Sequence, residues 1–287
     1  MIEPSTTRPA VMGIVNVTPD SFSGDGLFGD GARAERRARA MVAQGAAVVD
    51  VGGESTRPGA EPVGVDDELR RVVPLLERIG DLPVSIDTRH AEVARTAIAL
   101  GATMVNDVTA MEGDPAMAAV VAGADVDVCL VHMQGDPRTM QRAPRYDDVV
   151  DEVAAYLERR MLAAAAAGIR EERIWLDPGI GFGKTPQQNF RLLGRLEVIA
   201  GIGRPLLLGV SRKRSLAWAE GRDGTVGSVA AGVAAAVAAF HRGATMLRAH
   251  DVPEHVAALA VAREVETAAR TWVTAGPGAS VEGVRAR

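Results

Sequence analysis

At 287 residues, 47% hydrophobic and 24% charged with a net charge of -5, the chain is long enough for two average domains or one large α/β barrel, and it carries no basic excess that would draw it to nucleic acid. The single cysteine, Cys129, excludes an intrachain disulfide; it lies in the apolar run VDVCLVHM, where a buried, inert thiol suited to a reducing cytoplasm is expected. The opening MIEPSTTRPA lacks the basic and apolar stretches of a secretory signal, and no apolar run approaches the ~20 residues that cross a bilayer, so a cytoplasmic protein without a membrane partner is expected.

Strand-like runs recur along the chain: VMGIVNV (11–17), AVVDVGG (47–53), PVSIDT (83–88), TMVNDV (103–108), VCLVHM (128–133), IWLDPG (174–179), PLLLGVS (205–211) and TMLRAHDV (245–252). Between them lie stretches of helical spacing such as ARAERRARAMVAQGA, DDELRRVVPLLERIG and AEVARTAIALGA. Gly45, Gly80, Gly101, Gly168 and Gly243 close helical stretches shortly before strands, which predicts left-handed caps. Mostly continuous Val, Ile and Leu in the strands indicates burial on both faces, hence a parallel sheet covered by helices. Eight strand and helix units predict an α/β fold, a single-domain (β/α)8 TIM barrel over residues 11–273, with an N-terminal extension at 1–10 and a Gly, Ala and Ser-rich, disordered tail at 274–287; a doubly wound open sheet is the alternative, with no GxGxxG turn after the first strand to support it.

In such barrels the chemistry sits where the strands end. The predicted ends offer Asn16; Glu54, Ser55, Thr56 and Arg57; Asp87; Asn106 and Asp107; His132; Asp177; Ser211, Arg212 and Lys213; and Arg248, His250 and Asp251. Any one of these alone fits a helix cap. Eight in succession, mixing carboxylates, amides and cations, point to a shared pocket. Asp87, Asn106, Asp177 and Lys213 suit a flat heterocycle with N–H donors and a carbonyl, because carboxylates accept paired bonds from an amidine-like edge. Arg57, Arg248 and His250 suit a phosphate or carboxylate.

DPGIGFGKT (177–185) approaches the phosphate-binding P-loop pattern but has Pro178 where that pattern requires glycine, so a tight turn is expected, with Lys184 a solvated or helix-capping charge. The five histidines include neither H-x-H nor H-E-x-x-H, which argues against a barrel metallohydrolase. His241 and His255 fall in predicted helices as surface or packing residues. His132 is either a structural hydrogen-bonding residue or a lining of the site.

The stretches NVTPDSFS (16–23), DVGGESTRPGA (50–60), SIDT (85–88), VNDV (105–108), HMQGDPRTMQ (132–141), LDPGIGFGKT (176–185), SRK (211–213) and RAHD (248–251) resemble, in the same order, the motifs of the dihydropteroate synthase family. The resemblance implies a folate-biosynthesis transferase that condenses 6-hydroxymethyl-7,8-dihydropterin diphosphate with 4-aminobenzoate, giving dihydropteroate and diphosphate. It further implies that Asp87, Asn106, Asp177 and Lys213 hold the pterin, that Thr56, Arg57, Arg248 and His250 hold the diphosphate, and that Asn16 ligates Mg2+. Phe22, Pro58 and Ser211 would flank the aminobenzoate, and Asp177, Lys213, Asp25 and Arg57 would carry the catalysis, in a cytoplasmic homodimer. SFSGDG departs from the family's usual SFSDGG by moving the carboxylate to Asp25, and Arg214, Ser215 and Ala249 also depart. A catalytically silent pterin-binding paralogue and a pterin-dependent methyltransferase stand as alternatives; the latter needs neither NVTPDSF nor the Arg248 and His250 anion site.

Overall fold

The computed structural model describes residues 9–18, 29–57 and 59–275, with side chains described as far as residue 270. Among these, the chain runs β1 (Ala10–Asn16), α1 (Gly31–Ala43), β2 (Val48–Gly52), α2 (Val65–Ile79), β3 (Val84–Asp87), α3 (Ala91–Ala99), β4 (Met104–Asp107), α4 (Met117–Ala124) and β5 (Asp127–Val131). It continues through α5 (Val149–Ala166), β6 (Ile174–Asp177), α6 (Pro186–Gly194), α7 (Leu196–Ala200), β7 (Leu206–Gly209), α8 (Arg214–Ala219), α9 (Val229–Phe240), β8 (Ala244–Ala249) and α10 (Val252–Ala275). Every neighbouring strand pair is parallel, and β8 pairs with β1, so the sheet closes into the expected eight-stranded barrel. No helix among the described residues is long and apolar enough to cross a membrane.

Side chains alternate between two layers along each strand. Val11, Val15, Val49, Val51, Ile86, Val105, Leu130, Leu176, Leu208 and Leu247 face outward, into the apolar layer shared with the helices. Met12, Val48, Met104, Cys129, Trp175, Leu207 and Met246 fill the barrel itself. Cys129 is therefore buried, and its surroundings push the thiol well above its usual range, as an inert thiol requires.

Gly45, Gly101, Gly168 and Gly243 adopt the expected left-handed conformation. Gly80 does not: its φ is -61°, and it is needed for a different reason. A Cβ there would come within 2.8 Å of the Leu100 carbonyl oxygen, so two adjoining turns approach too closely for any side chain. β1 begins at Ala10 and α10 runs to Ala275. The remainder of the expected extension and tail lies outside the described residues.

Candidate functional site

The alternation that fills the barrel with apolar side chains also determines what reaches its mouth. Two residues beyond the inward Val48 stands Asp50, and by the same step of two Asn16, Asp87, Asn106, Asp177 and Arg248 point inward from β1, β3, β4, β6 and β8. The ladder aligns Asn16 with Gly52, Gly52 with Asp87, and Asp87 with Asn106. Gly52 contributes no side chain, and a Cβ on it would meet Asp87 Oδ2 and Asn16 Oδ1, each at 3.6 Å. These two oxygens thus face a common gap.

Arg248 reaches back across the mouth. Its Nε donates to Asp50 Oδ2 at 2.6 Å and its Nη2 to Asp87 Oδ2 at 2.8 Å, while Asn106 Nδ2 donates to Asp50 Oδ2 at 3.2 Å. The expected cationic and heterocycle-facing sectors therefore interlock: Arg248, assigned to the anion, is held by carboxylates of the other sector. One guanidinium shared between two carboxylates neutralises only one charge. Burial accordingly raises Asp87 to about 7, with Arg248 opposing and Asp50, Glu68 and Glu54 adding to the rise. Arg248 stays cationic; the two carboxylates more than offset the burial that disfavours its charge. Asp50 Oδ1, Ser85 Oγ and Asn106 Oδ1 are buried with no hydrogen-bond partner among the described residues. Sequence reading missed Asp50 because it sits inside an apolar run rather than at its end; strict alternation with Val48 would have exposed it.

Across the mouth, Asp177 accepts the Gly179 N–H at 2.7 Å. Burial raises its pKa, opposed by that bond and by Lys213, Lys184 and Arg248. Burial lowers Lys213 to about 8 against the pull of Asp177, and its ammonium lies 4.3 Å from the Phe182 ring centroid. Arg212, left-handed at φ 58°, donates from Nη2 to Asp251 Oδ1 at 2.7 Å and from Nε to Asp251 Oδ2 at 3.2 Å, clamping the turn that carries Lys213.

His250 forms the other flank. Ser211 Oγ accepts its backbone N–H at 3.2 Å and lies 3.0 Å from its Nδ1, so Ser211, expected beside the aminobenzoate, is bonded to an anion-side residue. Burial, reinforced by Arg212, Arg248, Arg57 and Arg37, holds the imidazole well below its usual pKa. Arg37, on α1, joins this cationic group without any motif to announce it. Thr56 and Arg57 are partly buried in the loop after β2. Phe22, Asp25 with Gly24, and Pro58 lie outside the described residues.

The largest departure from expectation is Lys184, which is neither solvated nor capping: it is 2% exposed. Thr185 caps α6 instead, in a capping box with Gln188. Lys184 Nζ lies 2.8 Å from His132 Nδ1, which resolves His132 as a buried structural residue. Among the described residues Glu54, Glu68 and His90 also bring ligand atoms within 4.8 Å of one another, but Arg89 bonds both oxygens of Glu54 and His90 bonds Glu68, so they form an ion-pair network beside the mouth.

A family profile described as pterin binding enzyme matches residues 12–250. A dihydropteroate synthase of Neisseria meningitidis serogroup C is 45% identical over 250 residues, covering 85% of this chain and 88% of its own. The structure of a Xanthomonas albilineans dihydropteroate synthase with 4-aminobenzoic acid superposes with a TM-score of 0.83 at 46% identity, covering 91% and 94% of the two chains. A Burkholderia cenocepacia dihydropteroate synthase complexed with 7,8-dihydropteroate superposes at 0.81 with 42% identity, covering 92% and 94%.

Proposed function

The chain belongs to the pterin-binding enzyme family as a dihydropteroate synthase, a transferase of the pterin-methyl group, and from that premise we propose how its residues divide the work. Asp87, Asn106 and Asp177 accept the N–H edge of the dihydropterin, and Lys213 donates to its carbonyl side. Thr56, Arg57, Arg248 and His250 hold the diphosphate. The observation that carries this reading is the set of buried acceptors without partners, Asp50 Oδ1 and Asn106 Oδ1, directly beside the Arg248 contact to Asp87. A planar ring with N–H donors would satisfy acceptors that otherwise cost about 1–3 kcal/mol each.

Mg2+ fits this mouth because the Asn16 amide oxygen that faces the gap over Gly52 is a hard donor of the kind it takes. Asn16 would hold it, and when bound it supplies charge neutralisation at the leaving diphosphate. The C–O bond to diphosphate breaks with its electron pair leaving on the diphosphate oxygen. Arg57 and Arg248 meet the developing charge and the Asp177 carboxylate faces the methylene cation. The amine of 4-aminobenzoate then forms the C–N bond and releases a proton. Phe22, Pro58 and Ser211 belong to the aminobenzoate side in this scheme, Asp25 joins Asp177, Lys213 and Arg57 in the catalysis, and the enzyme works in the cytoplasm as a homodimer.

Purified protein given both substrates and Mg2+ is expected to release diphosphate in step with dihydropteroate, and to stop when EDTA removes the metal. Binding of the pterin diphosphate without diphosphate release would make the protein a silent pterin binder. Positional isotope exchange within the diphosphate in the absence of aminobenzoate reports whether C–O cleavage comes first. Sedimentation velocity reads the homodimer.

A further inference from the structure

The glycine-rich hook between Asp177 and Lys184 looks like an anion loop in sequence and behaves as the opposite in space. Gly179, Gly181 and Gly183 have φ of 68°, 86° and 66°, and a Cβ on Gly179 would fall 1.9 Å from the His132 carbonyl oxygen. Three of the hook's amides are already bonded within the protein, Gly179 N–H to Asp177 Oδ1, Gly181 N–H to Asn189 Oδ1 at 2.8 Å and Phe182 N–H to Gly179 O at 3.1 Å. The carbonyls turn inward. Lys184 Nζ lies 2.9 Å from Gly179 O, 3.0 Å from Phe182 O and 2.8 Å from His132 Nδ1, while Gln141 Nε2 donates to Gly181 O and Tyr146 OH to Gly183 O.

Four acceptor atoms from three residues of the loops after β5 and β6, the most distant being His132 O at 3.4 Å, surround the three N–H bonds of one ammonium. Burial pulls Lys184 well below its usual pKa, with Asp177 opposing, and pushes His132 down to about 3. Either form of the amine suits the geometry: the ammonium donates three bonds, and the neutral amine donates two to the carbonyls and accepts one from His132 Nδ1–H. The hook it secures ends on Phe182, whose ring lies beneath the Lys213 ammonium, and passes Gly181, where a Cβ would come within 3.2 Å of Lys213 Cδ.

We propose that Lys184 is a positioning residue for the pterin side of the site, fixing the hook so that Asp177 and Phe182 present the carboxylate and the Lys213 ammonium to the heterocycle in one geometry. This rests on the reading that Asp177 and Lys213 hold the pterin. Side chains that orient a binding group through a packed, fully bonded support set its precision. Lys184 touches neither substrate.

Lys184→Met keeps a linear side chain of similar reach and removes every N–H. In the folded variant, the KM for pterin diphosphate and its Kd by calorimetry with Mg2+ and no aminobenzoate are expected to rise about tenfold, with kcat falling as well because Asp177 also faces the methylene cation; a lysine that only stabilises the fold would move neither the KM nor the Kd. Should that variant fail to fold, the double variant Gln141→Ala with Tyr146→Phe loosens the same hook from its more accessible side, and a rise of about threefold in the same two constants is expected. Folded variants of either kind that bind pterin diphosphate as the unmodified enzyme does, whatever their Tm, would reduce Lys184 to a stability residue and overturn the proposal. An unmodified enzyme that neither binds nor turns over pterin diphosphate would instead overturn the functional reading on which it rests.

Discussion

The floor of the barrel mouth and the hook beside it use the same kinds of polar group and treat them oppositely. In the hook, the carbonyls of Gly179, Gly181, Phe182 and Gly183 all accept bonds, and the buried lysine at its centre has three partners. At the floor, Asp50 Oδ1, Ser85 Oγ and Asn106 Oδ1 are buried without a partner among the described residues, and one arginine serves two carboxylates. Buried polar groups are nearly always satisfied within a protein, so a cluster that is not marks the place where something else completes the bonding. The contrast separates support from site: a lone unmatched buried atom, such as Arg204 Nε or His255 Nε2, marks no site, whereas several unmatched acceptors clustered on neighbouring strands do.

Arg248→Ala tests that contrast most severely. Two carboxylates buried at the floor lose their cation, so stability should fall by about 3–5 kcal/mol, and kcat/KM should drop by about 100-fold or more as the anion contact disappears. Denaturant titration and initial rates with both substrates measure the two losses. Arg222, paired with Glu220 on the surface, is the control; Arg222→Ala should change kcat/KM by less than about twofold, and equal losses in the two variants would place the anion site elsewhere.

Asp87 sharpens the comparison through pH. Its folded pKa, about 7, lies above the ordinary carboxylate value of about 3.9, so between those values the native state holds a proton that the unfolded chain has released. The stability it contributes is complete below about pH 4 and is lost as pH rises through about 7. Asp87→Asn cannot titrate, so its Tm should vary less from pH 4 to 8 than that of the unmodified protein, while pterin-diphosphate kcat/KM should fall about tenfold with the lost charge-assisted bond. An unchanged Tm profile would mean that Asp87 is ionised throughout.

Away from both regions, Gly80→Ala should cost about 1–3 kcal/mol in chemical denaturation, since the new methyl group meets the Leu100 carbonyl oxygen, yet leave KM for either substrate unchanged. A shift in KM would show that strain at the outer turns reaches the mouth.

Much of this was legible in the one-dimensional pattern. Apolar runs broken by helical stretches already specify a parallel sheet covered by helices, because strands buried on both faces need helices on each side, and eight such units favour a barrel over an open doubly wound sheet, as the closed sheet bears out. The strand-end residues Asn16, Asp87, Asn106, Asp177 and Lys213 could likewise be read off as candidates, because the polypeptide must leave the apolar layer there. Arg37 and Lys184 could not, and Asp50 only through the alternation. Asp50 reads as one polar residue in an apolar run until the alternation is tied to a register, Arg37 as one arginine of many on a surface helix, and Lys184 as a charge beside a turn. Local patterning determined which segments form the barrel; the closure of the sheet alone decided which charges meet, because the pairing of Arg248 with Asp50 and Asp87 joins residues 198 and 161 positions apart, and no sequence period spans that distance.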